Sequence, residues 1–141
     1  MQVAEYLLEQ GASVNHRTRD KFAALFFAAT KGDLEMVKLL VERGANVHDR
    51  LVILFIETIP NPNTYCHRDE FGNTPLLLAA KSPYDRDERI KILEYLVAQG
   101  ASLSARNNFG RTALVRAAMG NSQTRVDFFL SKGNLKFNFH I

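Results

Sequence analysis

The stretch Asp69-Glu70-Phe71-Gly72-Asn73-Thr74-Pro75-Leu76-Leu77-Leu78-Ala79-Ala80 reads as a turn that opens into a helix. Thr74 is a good N-cap, and Pro75 suits the first helical turn, where its missing N–H costs nothing. The paired alanines leave a thin face on which a neighbouring element can sit closely. Two further stretches repeat the pattern: Ala23-Ala24-Leu25-Phe26-Phe27-Ala28-Ala29 and Thr112-Ala113-Leu114-Val115-Arg116-Ala117-Ala118.

A second element recurs downstream of each. The segments Val3-Ala4-Glu5-Tyr6-Leu7-Leu8, Met36-Val37-Lys38-Leu39-Leu40-Val41, Ile92-Leu93-Glu94-Tyr95-Leu96-Val97 and Arg125-Val126-Asp127-Phe128-Phe129-Leu130 each carry one apolar helical face. They run into Gly11, Gly44, Gly100 and Gly133, spaced by 33, 56 and 33 residues. A glycine there is expected to close each helix in the left-handed conformation. The unit is therefore a helix pair, and a fixed period of this length implies a solenoid.

Asp69, Gly72, Thr74-Pro75-Leu76, Ala79-Ala80 and Gly100-Ala101 together make the chain resemble the ankyrin repeat over nearly its whole length. The resemblance implies an all-α fold, an ankyrin-repeat solenoid of stacked helix-turn-helix units with short turn fingers. Two departures are visible. Phe26, Leu77 and Val115 replace the family's histidine, so packing must stand in for its hydrogen bond to the threonine. Lys21, Ala23 and Ala24 stand where the family favours glycine, threonine and proline, which predicts a less regular first turn.

The interval of 56 locates two insertions, one of 18 residues between about His48 and Asp69 and one of five near Pro83 to Asp87. One domain, 1–141, is expected, with a partial repeat at 1–17, a repeat at 18–50, an insertion at 51–68, a repeat at 69–106 carrying the loop insertion 83–87, and a last repeat with a cap at 107–141. The apolar run from Leu51 to Ile56, followed by Pro60-Asn61-Pro62-Asn63, reads either as an extra packing element or as a partner-docking wedge. Leu135, Phe137, Phe139 and Ile141 alternate with polar residues, as a half-buried strand would, so a folded-back cap or something further should cover them. The chain starts at the second helix of a repeat, as a fragment or an atypical cap would.

Composition excludes several classes. With 46% hydrophobic and 23% charged residues, neither wholesale disorder nor a fibre is expected. The lone Cys66 forbids an intramolecular disulfide and a cysteine-built zinc site, and points to a reducing compartment, so an intracellular, cytoplasmic location is expected. Residues 1–10 lack a basic lead and an apolar run, and no apolar stretch approaches the ~20 residues of a membrane span. His16, His48, His67 and His140 are scattered, and no nucleophile, base and orienting group share motif spacing. No enzyme activity, cofactor or metal is expected.

Charge is uneven: net +3 for the chain, with Arg106, Arg111, Arg116, Arg125, Lys132 and Lys136 set against Asp127 alone after residue 100. Arg106, Arg111 and Arg116 read as a solvated basic face suited to an acidic protein, with nucleic acid ranked last. The ankyrin resemblance implies a protein–protein interaction module, a scaffold or adaptor that binds through its concave face and turn fingers. It places partner contacts at Arg19, Asp20, Phe22, Thr30 and Lys31, at Glu70, Phe71, Asn73, Lys81 and Ser82, and at Asn108, Phe109, Arg111 and Met119. Phe22, Phe71 and Phe109 are either anchors for a partner or packing between turns. The alternative is the targeting part of a larger enzyme or of an effector that intracellular bacteria deliver into host cells.

Overall fold

The structure, a computed structural model, describes residues 2–19, 22–50, 72–81 and 87–133. Among these residues the regular structure is helical: α1 (Gln2–Glu9), α2 (Ala24–Lys31), α3 (Leu34–Glu42), α4 (Pro75–Ala80), α5 (Asp87–Ala98), α6 (Ala113–Met119) and α7 (Gln123–Lys132). The helix pairs expected from the repeat are α2 with α3, α4 with α5 and α6 with α7. Asp87, assigned by spacing to the second insertion, already belongs to α5. The readings of 51–68 and of the tail from Leu135 lie outside the described residues.

Local chemistry explains where each helix starts. The Thr74 hydroxyl accepts from the Leu77 N–H and the Thr112 hydroxyl from the Val115 N–H. Ala23, in the same register, offers no side-chain cap to α2. At Ala23 the departure is a missing cap hydrogen bond, while Lys21 lies outside the described residues. The second helices are capped by Asp33, which accepts from Met36, and by Ser122, which accepts from Arg125. Gly32 closes α2 in the left-handed region at φ 80°, and Asn121 takes the equivalent place before α7 at φ 53°. Asparagine is among the few side chains that visit this region readily.

Gly11, Gly44 and Gly100 are left-handed as expected, with φ of 90°, 93° and 92°. Gly133 is not. It is extended at φ −86°, while its N–H donates to the Phe129 carbonyl at 2.9 Å. The period alone therefore overstated the last glycine's equivalence to the others.

Packing follows the repeat. α2 packs on α4 and α4 on α6, forming a row of first helices, and each is backed by its own second helix, α3, α5 or α7. One core runs through the stack, from Leu25, Phe26 and Val37 through Leu76, Leu77, Ile92 and Leu96 to Ala117, Phe128 and Phe129. Phe26 and Leu77, at the histidine position, are fully buried and worth ~1.5–3 kcal/mol each by burial, whereas Val115 in the last repeat is exposed. Two arginines tie successive repeats together. Arg89 Nη2 of α5 donates to the Thr30 carbonyl at 2.9 Å, and Arg125 Nη1 of α7 donates to the Ala80 carbonyl at 2.7 Å. Each places a cation at the C-terminal end of the preceding first helix, where carbonyls lack partners and the dipole is negative.

Candidate functional site

The turns between helix pairs form one edge of the stack, and their side chains stitch it from repeat to repeat. The Asn15 side chain donates to the Gly44 carbonyl at 3.1 Å and accepts from the Asn46 N–H at 3.1 Å. Farther along, Asn107 Nδ2 donates to the buried Asn73 Oδ1 at 3.0 Å. Asn107 Oδ1 also accepts from the N–H groups of Phe109 and Arg111, both at 3.0 Å, folding the last turn around one side chain.

A column of arginines runs along the same edge. Arg17, Arg50 and Arg106 each stand six residues past Gly11, Gly44 and Gly100. Arg17 forms an ion pair with Asp49 and donates to the Arg50 carbonyl at 3.4 Å. Arg50 in turn donates through Nη2 to the Arg106 carbonyl at 2.9 Å and through Nε to the Gly72 carbonyl at 3.3 Å. Arg106 Nη1 donates to the Gly110 carbonyl at 3.1 Å. A cleft of about 240 Å³ opens here, with Arg50 and Arg106 among the residues that line it. The column was not singled out from the sequence, although its constant offset from three glycines was the signal that could have revealed it.

The structure sorts the residues implied by resemblance. Arg19, Thr30, Lys31, Asn108, Phe109 and Met119 are exposed, and Lys81 and Arg111 are half-buried. Asp20, Glu70, Phe71 and Ser82 lie outside the described residues. Phe22 and Asn73 are buried. The Phe22 ring lies edge-on to Phe26 at 6.5 Å and tilted against Phe27 at 5.2 Å, so it packs the first turn onto α2. Phe109 takes the other course: it is 53% exposed, with the Arg111 guanidinium 5.2 Å from its ring centroid. Phe22, Asn73 and Arg111 share one register position, which explains why all three turn inward more than Phe109 does.

The basic face needs correction. Arg116 is 2% exposed and Arg125 1%, so neither contributes charge to solvent. Arg116 stands in the register of Leu78, which is also buried, and of Phe27, which is not. Arg106 remains exposed and Arg111 half-exposed, beside Phe109 and Asn108. These four bring cationic, aromatic and amide groups together in one turn, an arrangement suited to binding a surface. Among the described residues no three His, Cys, Asp or Glu side chains gather as a metal would require, and no helix is long and apolar enough to cross a membrane. Burial, then the Glu42 carboxylate, raise the Tyr95 hydroxyl above its ordinary range, so it stays protonated at neutral pH.

Comparison with known proteins places this geometry. Residues 1–41 match a family model described as ankyrin repeats (many copies), and residues 48–139 match one described as ankyrin repeats (3 copies). The chain is 32% identical over 109 residues to mouse (Mus musculus) protein phosphatase 1 regulatory subunit 27, covering 77% of this chain and 56% of that protein. It is 29% identical over 124 residues to human (Homo sapiens) ankyrin repeat and SOCS box protein 6, covering 87% of this chain and 24% of that one. It is 37% identical over 108 residues to mouse transient receptor potential cation channel subfamily V member 2, covering 72% and 13%. The chain thus spans about half the length of the first of these relatives and about a quarter of the second.

Proposed function

This chain belongs to the ankyrin-repeat family, a family of protein–protein interaction modules, and we propose that it is a non-enzymatic scaffold or adaptor that holds a partner protein against its turn edge and concave face. The observation that carries this reading is the last turn, where an exposed Phe109 lies beside Arg111, with Asn108 and Arg106 near it in sequence and also exposed. Binding hot spots are built from an aromatic anchor and arginine, ringed by groups that exclude water. Arg19, Thr30, Lys31, Lys81 and Met119 supply further outward positions, while the buried Phe22 and Asn73 act by holding the turns. Arg106 and Arg111 favour an acidic stripe on the partner. One relative is named a regulatory subunit of protein phosphatase 1, and binding of that regulatory kind is the class of role proposed here.

The test is to capture partners with the full chain, identify the protein retained, and measure its association with Arg106→Glu and Phe109→Ala variants. Arg106→Glu should slow association and flatten its salt dependence, because an exposed charge acts mainly through steering. Phe109→Ala should speed dissociation about tenfold, the effect of losing a central aromatic anchor. Unchanged rates for both variants would place the contact elsewhere. The greater length of the relatives favours a second reading, that these repeats target a larger enzyme or effector; the sequence of the natural full-length product decides that.

A further inference from the structure

The cleft of about 240 Å³ on the turn edge brings Arg50 and Arg106 together with Thr74, Ser102, Val47 and Ala105. Its two guanidiniums keep their charge, because what they touch does not cancel it. Arg50 donates to the Gly72 and Arg106 carbonyls, and Arg106 to the Gly110 carbonyl. Neither pairs with a carboxylate among the described residues. Arg17, at the same offset from its own glycine, differs: it has Asp49 as counter-ion. That carboxylate also accepts from the Arg50 N–H, so it is already committed outside the cleft.

Donors are left over. Arg50 Nη1 and Arg106 Nε and Nη2 make no hydrogen bond among the described residues. The Thr74 hydroxyl accepts from the Leu77 N–H in capping α4, and although Thr74 is 6% exposed its own proton goes to no acceptor among the described residues. The exposed Ser102 adds a second hydroxyl, 3.1 Å from that of Ser104. The two bonds that Arg50 makes to carbonyls hold it in place, so little order remains to be imposed when a ligand arrives.

We propose that this cleft seats the phosphoryl group of a phosphorylated serine or threonine on a partner protein. The proposal rests on the reading that the turn edge binds a partner, and names the chemistry that the edge selects. A carboxylate brings one charge and two oxygens, whereas a phosphate monoester brings a charge of about −1.5 to −2 and three acceptor oxygens. The monoester is the better match to two uncancelled guanidiniums flanked by hydroxyls. Val47 and Ala105, the apolar residues of the same cleft, suit the carbon stem of an esterified phosphate and give a bare ion nothing. The volume exceeds the ~30 Å³ share of one water several times over, so the group and its stem fit.

The test follows backbone amide and arginine Nε–H resonances of the 141-residue chain as N-acetyl-O-phosphoserine N-methylamide is added, at low ionic strength and about pH 7.5, where the monoester is mostly dianionic. Saturable shifts at Arg50, Ser102 and Arg106 are expected, half-complete at about 1 mM, as a few charge-assisted hydrogen bonds in an open cleft would give. The serine parent, N-acetylglutamate N-methylamide and inorganic phosphate should each bind about tenfold more weakly or worse. Arg106→Gln should weaken the phosphoserine probe about tenfold, while Phe109→Ala, outside the cleft, should leave it unchanged. Circular dichroism checks that both variants melt as the wild type does, and the comparison of probes on the wild-type chain needs no variant. Absence of saturation up to about 10 mM, or a glutamate probe bound as well as phosphoserine, overturns the proposal. So would inorganic phosphate bound as tightly, which would mark a site for a free anion. Partner capture repeated on phosphatase-treated extract separates this inference from the reading beneath it. Loss of the partner is expected; a partner retained equally would refute the phosphoryl requirement and leave recognition by the turn edge standing.

Discussion

Replacing Asn107 with alanine should unravel the last turn and weaken the whole stack, because one side chain there makes three hydrogen bonds in two directions. Asn107 Nδ2 reaches the buried Asn73 Oδ1 at 3.0 Å, and Asn107 Oδ1 accepts from Phe109 and Arg111, each at 3.0 Å. Each such bond is worth about 1 kcal/mol net, and the Asn73 amide oxygen stays buried after losing a donor, so Asn107→Ala should cost about 3 kcal/mol. For a chain of this size that corresponds to a melting temperature lower by about 10 °C. Asn107→Asp keeps an acceptor for Phe109 and Arg111 but buries a carboxylate against the Asn73 Oδ1, so it should cost at least as much as Asn107→Ala. Urea titrations followed by far-ultraviolet circular dichroism would measure both, with amide exchange at residues 107–112 reporting the turn itself. If either variant came within about 1 kcal/mol of wild type, the stitching of one turn to the next through this side chain would be refuted.

Three further outcomes follow from the same turns and caps. Gly72→Ala should destabilise by about 2 kcal/mol or more, since its φ of 72° disfavours a side chain and the new Cβ would collide with the Asn108 side-chain oxygen; Gly11→Ala, with open space around it, should cost only the backbone term of ~1–2 kcal/mol in the same urea titration. Ala23→Ser should supply the N-cap that α2 lacks and raise stability by about 1 kcal/mol, read as an increase in melting temperature. Arg106→Glu should leave stability within ~0.5 kcal/mol because its side chain is exposed, whereas Arg116→Glu buries a carboxylate at a 2% exposed position and should cost ~3 kcal/mol or more, a contrast that equilibrium denaturation resolves directly.

The helices were legible in the sequence because local signals and the period agreed. Thr74 caps the helix it was expected to cap, Thr112 does the same for α6, and the apolar faces of α3, α5 and α7 enter the core. Side-chain direction was less legible, because charge and aromaticity do not reveal which way a residue points. Arg116 looked like part of a solvated basic face, yet it is 2% exposed, while Phe27 at the same register position is 50% exposed, so register alone does not reveal which way such a residue points. Phe22 and Phe109 looked alike as anchors; a displacement of two positions buries the first and exposes the second. The arginine column was hidden for a different reason. Its members touch through backbone carbonyls, and the two insertions, of 18 and five residues, widen the separation of Arg50 from Arg106 to 56 positions, so only the stacked geometry brings them together.

Recognition through the turn edge is tested most directly by photo-crosslinking from that edge. Phe109→p-benzoylphenylalanine, expressed in the protein's native cells, should give one discrete protein adduct on irradiation. The same photoreactive group at Glu94, exposed on the second-helix side in α5, should give none of it. An adduct that forms equally from both positions, or from Glu94 alone, would contradict recognition through the turns.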